Sequence, residues 1–552
     1  MEMISESVLN KLKADMEKLC QKGETPGVEC AVFSKDRILF SYDYGQINRI
    51  MGIPSSMDSL YMIGSNTKMM TAMCCLKLYE ERKLDLYADI KTYLPEFSVK
   101  TRGVRITVRD LLQHRAGLPG DFLNLTREQG SEAVLEALKD TALSFEPGLV
   151  FSYSNVGYIL LGLIIERLVG CSYESYVNQI IGAPLGIKIY FRKEELSRFS
   201  CSYDKTGREV EDFTASLPGA AAGCCTYMSM EDFVKFGQVF LNQGAPVLRP
   251  ETMALMESLP IRDPLDEKLC GYGYGLFHNQ YCFPRVTVLG HGGDTVCHHS
   301  AFHYIREMGV GVAVMTNGTN GQALAGKLDL LMLRAALKAA GRTAVIPERL
   351  SQDKTVSRDI VGTFTSFMGP LEISEDSKGK LQTSLRGVRI RLSPAGDGWV
   401  HCTPGSLLTS VPALRRQIER IYLKPGTYHE KPVLLAVSRC RDYCSMGILG
   451  VPCKTYPIPA SFHQALGTYE PSDPRIREGM PMTVKLAEKD GRLLAIVDTD
   501  VLKVELALKP GDYRTAFVQG LGRYAGECVT VDPEENTLCY AGITFKPVKF
   551  PK

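Results

Sequence analysis

The 552-residue sequence predicts an α/β unit of the α+β kind followed by all-β modules, and three observations carry that expectation. Two strand-like runs near the start, "GVECAVFS" and "RILFSYDYG", are joined by a short polar "KD" and read as a hairpin. Helical patterns then dominate from Asn66 to about Val345, until strands return in "RVTVLGHGG", "HHSAFHYI" and "GVGVAVMTN". A sheet built from the two ends of this region, with the helices between, is the economical arrangement. Beyond Pro347 the texture changes to short alternating runs punctuated by glycine, proline and aspartate.

The length exceeds what one hydrophobic core serves. The reading is a first domain over 1–347 and two all-β modules over 355–455 and 456–552. The modules echo each other. "IVGTFTSFMGP" and "ALGTYEPSDP" open them with Gly362-Thr363-Phe364 and Gly467-Thr468-Tyr469, and "LEISEDSKGKLQTSL" is matched by "TVKLAEKDGRLLAIV". Two halves of one larger barrel remain the alternative.

The first residues place Ile4, Val8, Leu9, Leu12 and Met16 on a helical stripe, with acidic residues where an export signal would be basic. The apolar run "YILLGLIIERLVG" from Tyr158 meets Glu166 and Arg167 well short of the roughly 18 residues a membrane span needs. Lys plus Arg number 64 against 62 Asp plus Glu, a net of +2, which offers no broad field for nucleic acid or anionic membrane. Seventeen cysteines, an odd count with no C-x-x-C spacing, read as reduced and buried thiols. The expectation is a soluble, cytoplasmic protein with neither a nucleic-acid nor a membrane partner.

Chemistry is concentrated in three places. In "MIGSNTKMMTAMCCLKLYEE" Lys68 follows Ser65 by one helical turn, so its amine can reach the hydroxyl. A desolvated lysine can act as the base that a serine nucleophile needs. The same spacing occurs at Ser351 to Lys354 and Ser377 to Lys380 in polar text, so context separates the first: Met69, Met70, Ala72, Met73, Cys74, Cys75 and Leu76 describe a buried helix. A structural lysine paired with a carboxylate is the plain alternative. In "EPGLVFSYSNVGYILLG", Tyr153 and Asn155 form Y-x-N, the tyrosine suited to proton transfer and the asparagine, read as the cap of a helix from Val156, suited to holding lysine and substrate. Tyr176 and Asn178 repeat the spacing in what reads as ordinary helix surface, and a satisfied core tyrosine is the alternative for Tyr153. In "VLGHGGDTVCHHSAFHYI" a strand runs into His291-Gly292-Gly293, glycines that permit close approach and an edge that can pair with a substrate main chain. The histidines do not make a metal site. His298 and His299 face opposite ways on a strand, and His299 and His303 lie about 13 Å apart. No cofactor motif is present, and no bound cofactor or metal is expected.

S-x-x-K, then Y-x-N, then a histidine-glycine-glycine strand resembles the serine β-lactamase and penicillin-binding-protein superfamily, in its class C branch with related esterases and D-amino-acid peptidases. The resemblance runs from about residue 25 to 340 and includes "ITVRDLLQHRAGLPG" from Ile106 and "PGAAAGCCTYMSMEDFVKFGQVFLNQG". Thr107 with Asp110 and Ser229 with Asp232 independently read as helix-capping boxes. The resemblance implies an antiparallel sheet with helices on both faces and a helical subdomain. It also implies Ser65 as the acylated nucleophile, Lys68 and Tyr153 exchanging its proton, and Asn155 holding the lysine and the substrate. Backbone N–H groups of Ser65 and Asp294 would form the oxyanion hole, with His291, Gly292 and Gly293 lining the substrate. Lactamases carry Lys-Thr-Gly where His291, Gly292 and Gly293 stand, so a drug carboxylate is gripped less well. The expected function is a serine hydrolase acting on a small-molecule or short-peptide substrate, a small-peptide or D-amino-acid peptidase. A carboxylesterase with weak or no β-lactamase activity and a non-catalytic scaffold are the alternatives. Asp121 after "GLPG" is read as an exposed loop carboxylate, with a substrate amine as its other use. Homo-oligomers assembled through the β-modules are compatible with the resemblance.

Overall fold

The computed structural model describes residues 6–548 apart from 140, 267, 344–354, 367–368, 386–387, 405–411, 441, 480, 500–502 and 522–524. Ser351, Lys354 and the boundary at Pro347 lie outside the described residues. Helix α1 (Glu6–Gly23) buries Leu12 and Met16 from its apolar stripe. The hairpin follows as β1 (Gly27–Ser34) and β2 (Ile38–Asn48), then β3 (Ile53–Pro54). Helices α2 (Thr67–Glu80), α3 (Val108–Leu112), α4 (Asn155–Val169) and α5 (Met230–Leu241) occupy the middle. Strands β4 (Gly271–Tyr272), β5 (Phe277–His278), β6 (Leu289–Asp294), β7 (His299–Ile305) and β8 (Val310–Thr316) then lead into α6 (Gly321–Ala339).

The eight strands form one antiparallel sheet in the order β3-β2-β1-β8-β7-β6-β5-β4. The early hairpin and the late strands meet where β1 pairs with β8, from Val28 opposite Thr316 to Ser34 opposite Val310. Alternation along β1 explains the layers. Val28, Cys30 and Val32 pack with Leu328 and Met332 of α6 and with Met16 of α1, while Ala31 and Phe33 pack with Phe233 and Phe236 of α5. Each large apolar side chain so buried contributes about 1.5–3 kcal/mol. The expected strand at Arg285 joins the sheet only from Leu289, because Arg285 adopts φ 63 and the backbone N–H of Val288 goes to the Asn279 side chain.

The middle helices are buried for the reason their composition gives. Helix α2 is apolar on every face, and Met69 to Leu76 are fully buried. Thr107 and Asp110 make the expected capping box on α3, and Ser229 accepts from Asp232 N at the start of α5. Tyr176 is not surface. Both Tyr176 and Val177 belong to the core, and Asn178 bonds the backbone of Ile189 in both directions. The amphipathic pattern there reflects a helix covered on its second side as well. Among the described residues no single helix is long and apolar enough to cross a membrane. One carboxylate lies deep in this unit. Glu29 on β1 accepts from Ser55 Oγ at 2.6 Å, and burial pushes its carboxyl up to about 8.

After α6 the chain forms an eight-stranded antiparallel sheet between Gly362 and Gly450, its ends joined by Thr365 N to Val451 O and Cys453 N to Thr363 O at 2.8 and 2.7 Å. A closed eight-stranded barrel between Gly467 and Pro547 follows. The echoed tripeptides occupy the first strand of each, and their aromatics Phe364 and Tyr469 are buried in the respective cores. Ser377 and Lys380 lie in an exposed turn of the first module.

Candidate active site

Ser65 occupies the turn Gly64–Asn66 that leads into α2. One turn on, Lys68 is fully buried, and its Nζ donates to Ser65 Oγ at 3.2 Å, Asn155 Oδ1 at 2.6 Å and the Gly223 carbonyl at 2.8 Å. Three acceptors match the three hydrogens of an ammonium. The three acceptors are a hydroxyl, an amide oxygen and a backbone carbonyl.

Two glycines bring β6 onto the serine turn. A Cβ on Gly293 would lie 2.0 Å from the Ile63 carbonyl oxygen and 2.4 Å from Ser300 Oγ. Gly64 adopts φ +54, and a Cβ on it would lie 2.7 Å from the Asp294 nitrogen. Backbone therefore packs on backbone, with the Asp294 N–H against the residue that precedes Ser65. Asn66 Nδ2 to Ser300 Oγ and Ser300 Oγ to the Ile63 carbonyl, each 2.7 Å, fasten the turn to β7. Strand β6 pairs with β7 throughout but with β5 only at Leu289 and Gly290. Among the described residues, no strand pairs with that edge from His291 to Asp294. At Gly292 the nearest atom to an added Cβ is 3.9 Å away, so the space beside it is open.

Tyr153 arrives on the segment before α4, with its ring centroid 4.8 Å from Lys68 Nζ. His114 sets this segment. At φ 53 its carbonyl accepts from Ser152 N at 2.7 Å while its Nδ1 accepts from Ser154 N at 3.0 Å, and its ring lies 4.2 Å from that of Tyr153. The cap of α4 is Ser154, which accepts from Gly157 N, and not Asn155. That frees Asn155 to donate from Nδ2 to Asp121 at 2.8 Å while its oxygen accepts a hydrogen bond from Lys68 Nζ. Asp121 is thus half-buried and engaged rather than an exposed loop carboxylate.

His291 is placed differently from the expectation that it lines the substrate. It is buried, and Nδ1 has the Gly292 carbonyl as partner, so Nδ1 carries the hydrogen and Nε2 accepts from the Tyr272 hydroxyl at 3.0 Å. Burial, reinforced by the nearby Lys68 charge, presses its pKa down to about 3, and the imidazole is neutral. It buttresses Tyr153, ring to ring at 6.2 Å, from inside. Asp294 stands half-exposed at the end of β6 and accepts from His299 Nδ1 at 2.7 Å.

Both modules touch this region. In the barrel, buried Glu527 accepts from the Gly120 N–H at 3.3 Å, and the Gly120 carbonyl accepts from Asn155 N at 2.9 Å. Between the first unit and the modules lies a cavity of about 460 Å³, bounded by Phe151, Tyr272, Gly447, Ile448, Leu506 and Val518. No sequence motif marks His114, Tyr272 or Glu527. His114 stands inside the quoted "HRAGLPG" and Tyr272 inside "GYGYG", but each acts through partners remote in the chain.

This geometry agrees with a family model, Beta-lactamase, that matches residues 11–337. The chain belongs to the Beta-lactamase family. Protein flp of Staphylococcus aureus (strain N315) is 31% identical over 200 residues, 35% of this chain and 40% of the relative. The chain thus spans about two fifths of the length of those staphylococcal relatives. Penicillin-binding protein 4 of Amycolatopsis lactamdurans is 29% identical over 312 residues, 53% of this chain and 81% of the relative. The octameric penicillin-binding protein homologue from Pyrococcus abyssi superposes with a TM-score of 0.54 at 21% identity, over 90% of this chain and 99% of its own, a likeness of fold. Membership places the chain in the β-lactamase and penicillin-binding-protein superfamily.

Proposed function

We propose that this protein is a serine hydrolase that cleaves the amide bond of small or D-configured peptides through an acyl-Ser65 intermediate. The observation that carries the proposal is the buried Lys68 amine held between Ser65 Oγ and Asn155 Oδ1. In this reading the Lys68–Tyr153 pair enters the reaction one proton short, as ammonium with phenolate or as amine with phenol, and takes up the Ser65 proton as Oγ attacks the carbonyl carbon. The developing oxyanion is met by the N–H groups of Ser65 and Asp294, each such donor contributing about 3–4 kcal/mol in related chemistry. The pair returns the proton to the leaving nitrogen, and water then releases the acyl group by the reverse route. Asn155 and Asp121 fix the amine, and His114 and His291 fix the tyrosine.

The unpaired edge of β6 supports a peptide substrate, because an extended main chain can hydrogen-bond along it. A neutral, buried His291 and the bare Gly292 supply neither cation nor hydroxyl for a drug carboxylate, which supports weak β-lactam hydrolysis. The octameric homologue supports assembly into homo-oligomers, with the β-modules as the surfaces for it. Incubation with a fluorophosphonate and peptide mapping tests the chemistry: an adduct on Ser65 is expected, and a folded protein without one would favour a scaffold. D- and L-aminoacyl anilides run beside p-nitrophenyl esters test the substrate class. Turnover of the esters with every anilide inert would replace the peptidase by the carboxylesterase.

A further inference from the structure

The first module is clasped by a short patch of the Beta-lactamase unit. Arg334 makes two bonds of 2.6 Å to the Asp442 carboxylate and covers the Tyr443 ring at 5.5 Å. Tyr281 and Phe283 flank the same ring, each at 5.6 Å. Between these contacts Cys282 N donates to the Cys444 carbonyl at 2.8 Å, and Cys444 N donates back to the Cys282 carbonyl at 3.0 Å. An antiparallel pair that exchanges both bonds holds its Cα atoms about 5.5 Å apart, inside the roughly 4.4–6.8 Å that a disulfide spans. Their side chains leave on one face of the paired segments, as they do at every such directly opposed pair. Both cysteines are partly exposed, so a small oxidant can reach them.

We propose that Cys282 and Cys444 are a modification site, oxidised by a peroxide to a disulfide that fastens the first module to the Beta-lactamase unit. The Cys282 sulfur attacks one peroxide oxygen, the O–O bond breaks, and Cys282 becomes a sulfenic acid as the first water leaves. The Cys444 sulfur gives up its proton and attacks the Cys282 sulfur, the S–O bond breaks, and the second water leaves. Two thiols and one hydrogen peroxide thus yield one disulfide and two waters. A reducing dithiol restores the pair by exchange.

The surroundings favour this pair over the other cysteines. The neighbouring Cys444 thiol favours the Cys282 thiolate, the attacking form, and so draws the Cys282 thiol down. Burial pushes the thiols of Cys74 and Cys75 up and that of Cys270 up to about 12, and the adjoining Cys224 thiol together with burial pushes Cys225 up. Cys224 and Cys225 have sulfurs 3.9 Å apart, but they are successive residues sealed in the core. The link would also have a reach. Gly447 and Ile448, on the strand Cys444–Gly450, form the cavity wall that faces Phe151 and Tyr272, and Tyr272 holds His291.

The test uses the full-length protein and needs no substrate. After treatment with stoichiometric hydrogen peroxide, the remaining thiols are alkylated and the protein is digested without reduction. The expected result is one peptide pair joined through Cys282 and Cys444, a loss of two titratable thiols per chain, and recovery of both with dithiothreitol. Cys444→Ser should leave a dimedone-reactive sulfenic acid at Cys282, and Cys282→Ser should abolish the link. Recovery of Cys282 and Cys444 both alkylated while other cysteines oxidise, or a persistent sulfenic acid at Cys282 in the unmutated protein, overturns the proposal.

Discussion

A methyl group placed on Gly293 has nowhere to go. Its Cβ would sit 2.0 Å from the Ile63 carbonyl oxygen, and contacts below 3.0 Å essentially never occur, so β6 must withdraw from the serine turn by about 1 Å. The Ile63 oxygen is backbone and cannot rotate aside as a side chain would. That withdrawal carries the Asp294 N–H away from the place where a carbonyl oxygen on Ser65 would develop charge. Loss of one such donor costs about 3–4 kcal/mol, or a fall of roughly 10²–10³ in kcat. Gly292→Ala is the matched control, since its added methyl meets only the Ser300 carbonyl at 3.9 Å, and it should alter kcat by less than about threefold. Both variants would be assayed by the release of p-nitrophenol from an activated ester and by the rate of Ser65 labelling with a fluorophosphonate, with thermal melts to establish that each is folded. Equal kcat values for two folded variants would refute the reasoning that the Gly293 contact sets the oxyanion donors.

Lys68→Ala should lower the ester rate by about 10²–10⁴, the range of a positioned proton carrier, measured as kcat/KM with the same ester. Glu29 gives a pH dependence of stability. Its folded value of about 8 lies above the ordinary 4.5, so between those values the folded chain keeps a proton that the unfolded chain has released, and stability falls as pH rises through that window. The slope approaches about 1.4 kcal/mol per pH unit, and Glu29→Gln should flatten it in urea titrations at pH 5 and 8. Glu527→Ala removes the acceptor of the Gly120 N–H and should reduce kcat by about tenfold, whereas Glu527→Gln, whose amide oxygen still accepts, should keep most of it.

Ser65, Lys68, Tyr153 and Asn155 were legible because each lies in a short motif whose spacing has a local physical meaning. The sheet was legible for the same reason, since the short β-favouring runs "GVECAVFS" and "GVGVAVMTN" need no distant information. What local pattern misses is occupancy by distant chain. Ser154 and Asn155 are both good helix caps by type, and the choice between them was settled by Lys68 and Asp121 claiming the asparagine. His291 looked like a substrate contact because a glycine-flanked strand histidine is expected at a surface, and the Tyr272 hydroxyl that turns it inward comes from another strand. His114 carries no local sign at all, because its role lies in a left-handed backbone and two bonds to residues some forty positions on.

The acceptors around the Lys68 amine lie 87 and 155 residues further along the chain, and the Glu527 contact behind them spans 407 residues. Contacts of such sequence separation close last, because each must first overcome the entropy of joining its loop. A nascent or partly unfolded copy therefore holds Ser65 as an unremarkable alcohol in water. In the proposed hydrolase only a finished chain would be armed, so the assembly of the fold itself would guard other acyl groups in the surroundings from premature attack.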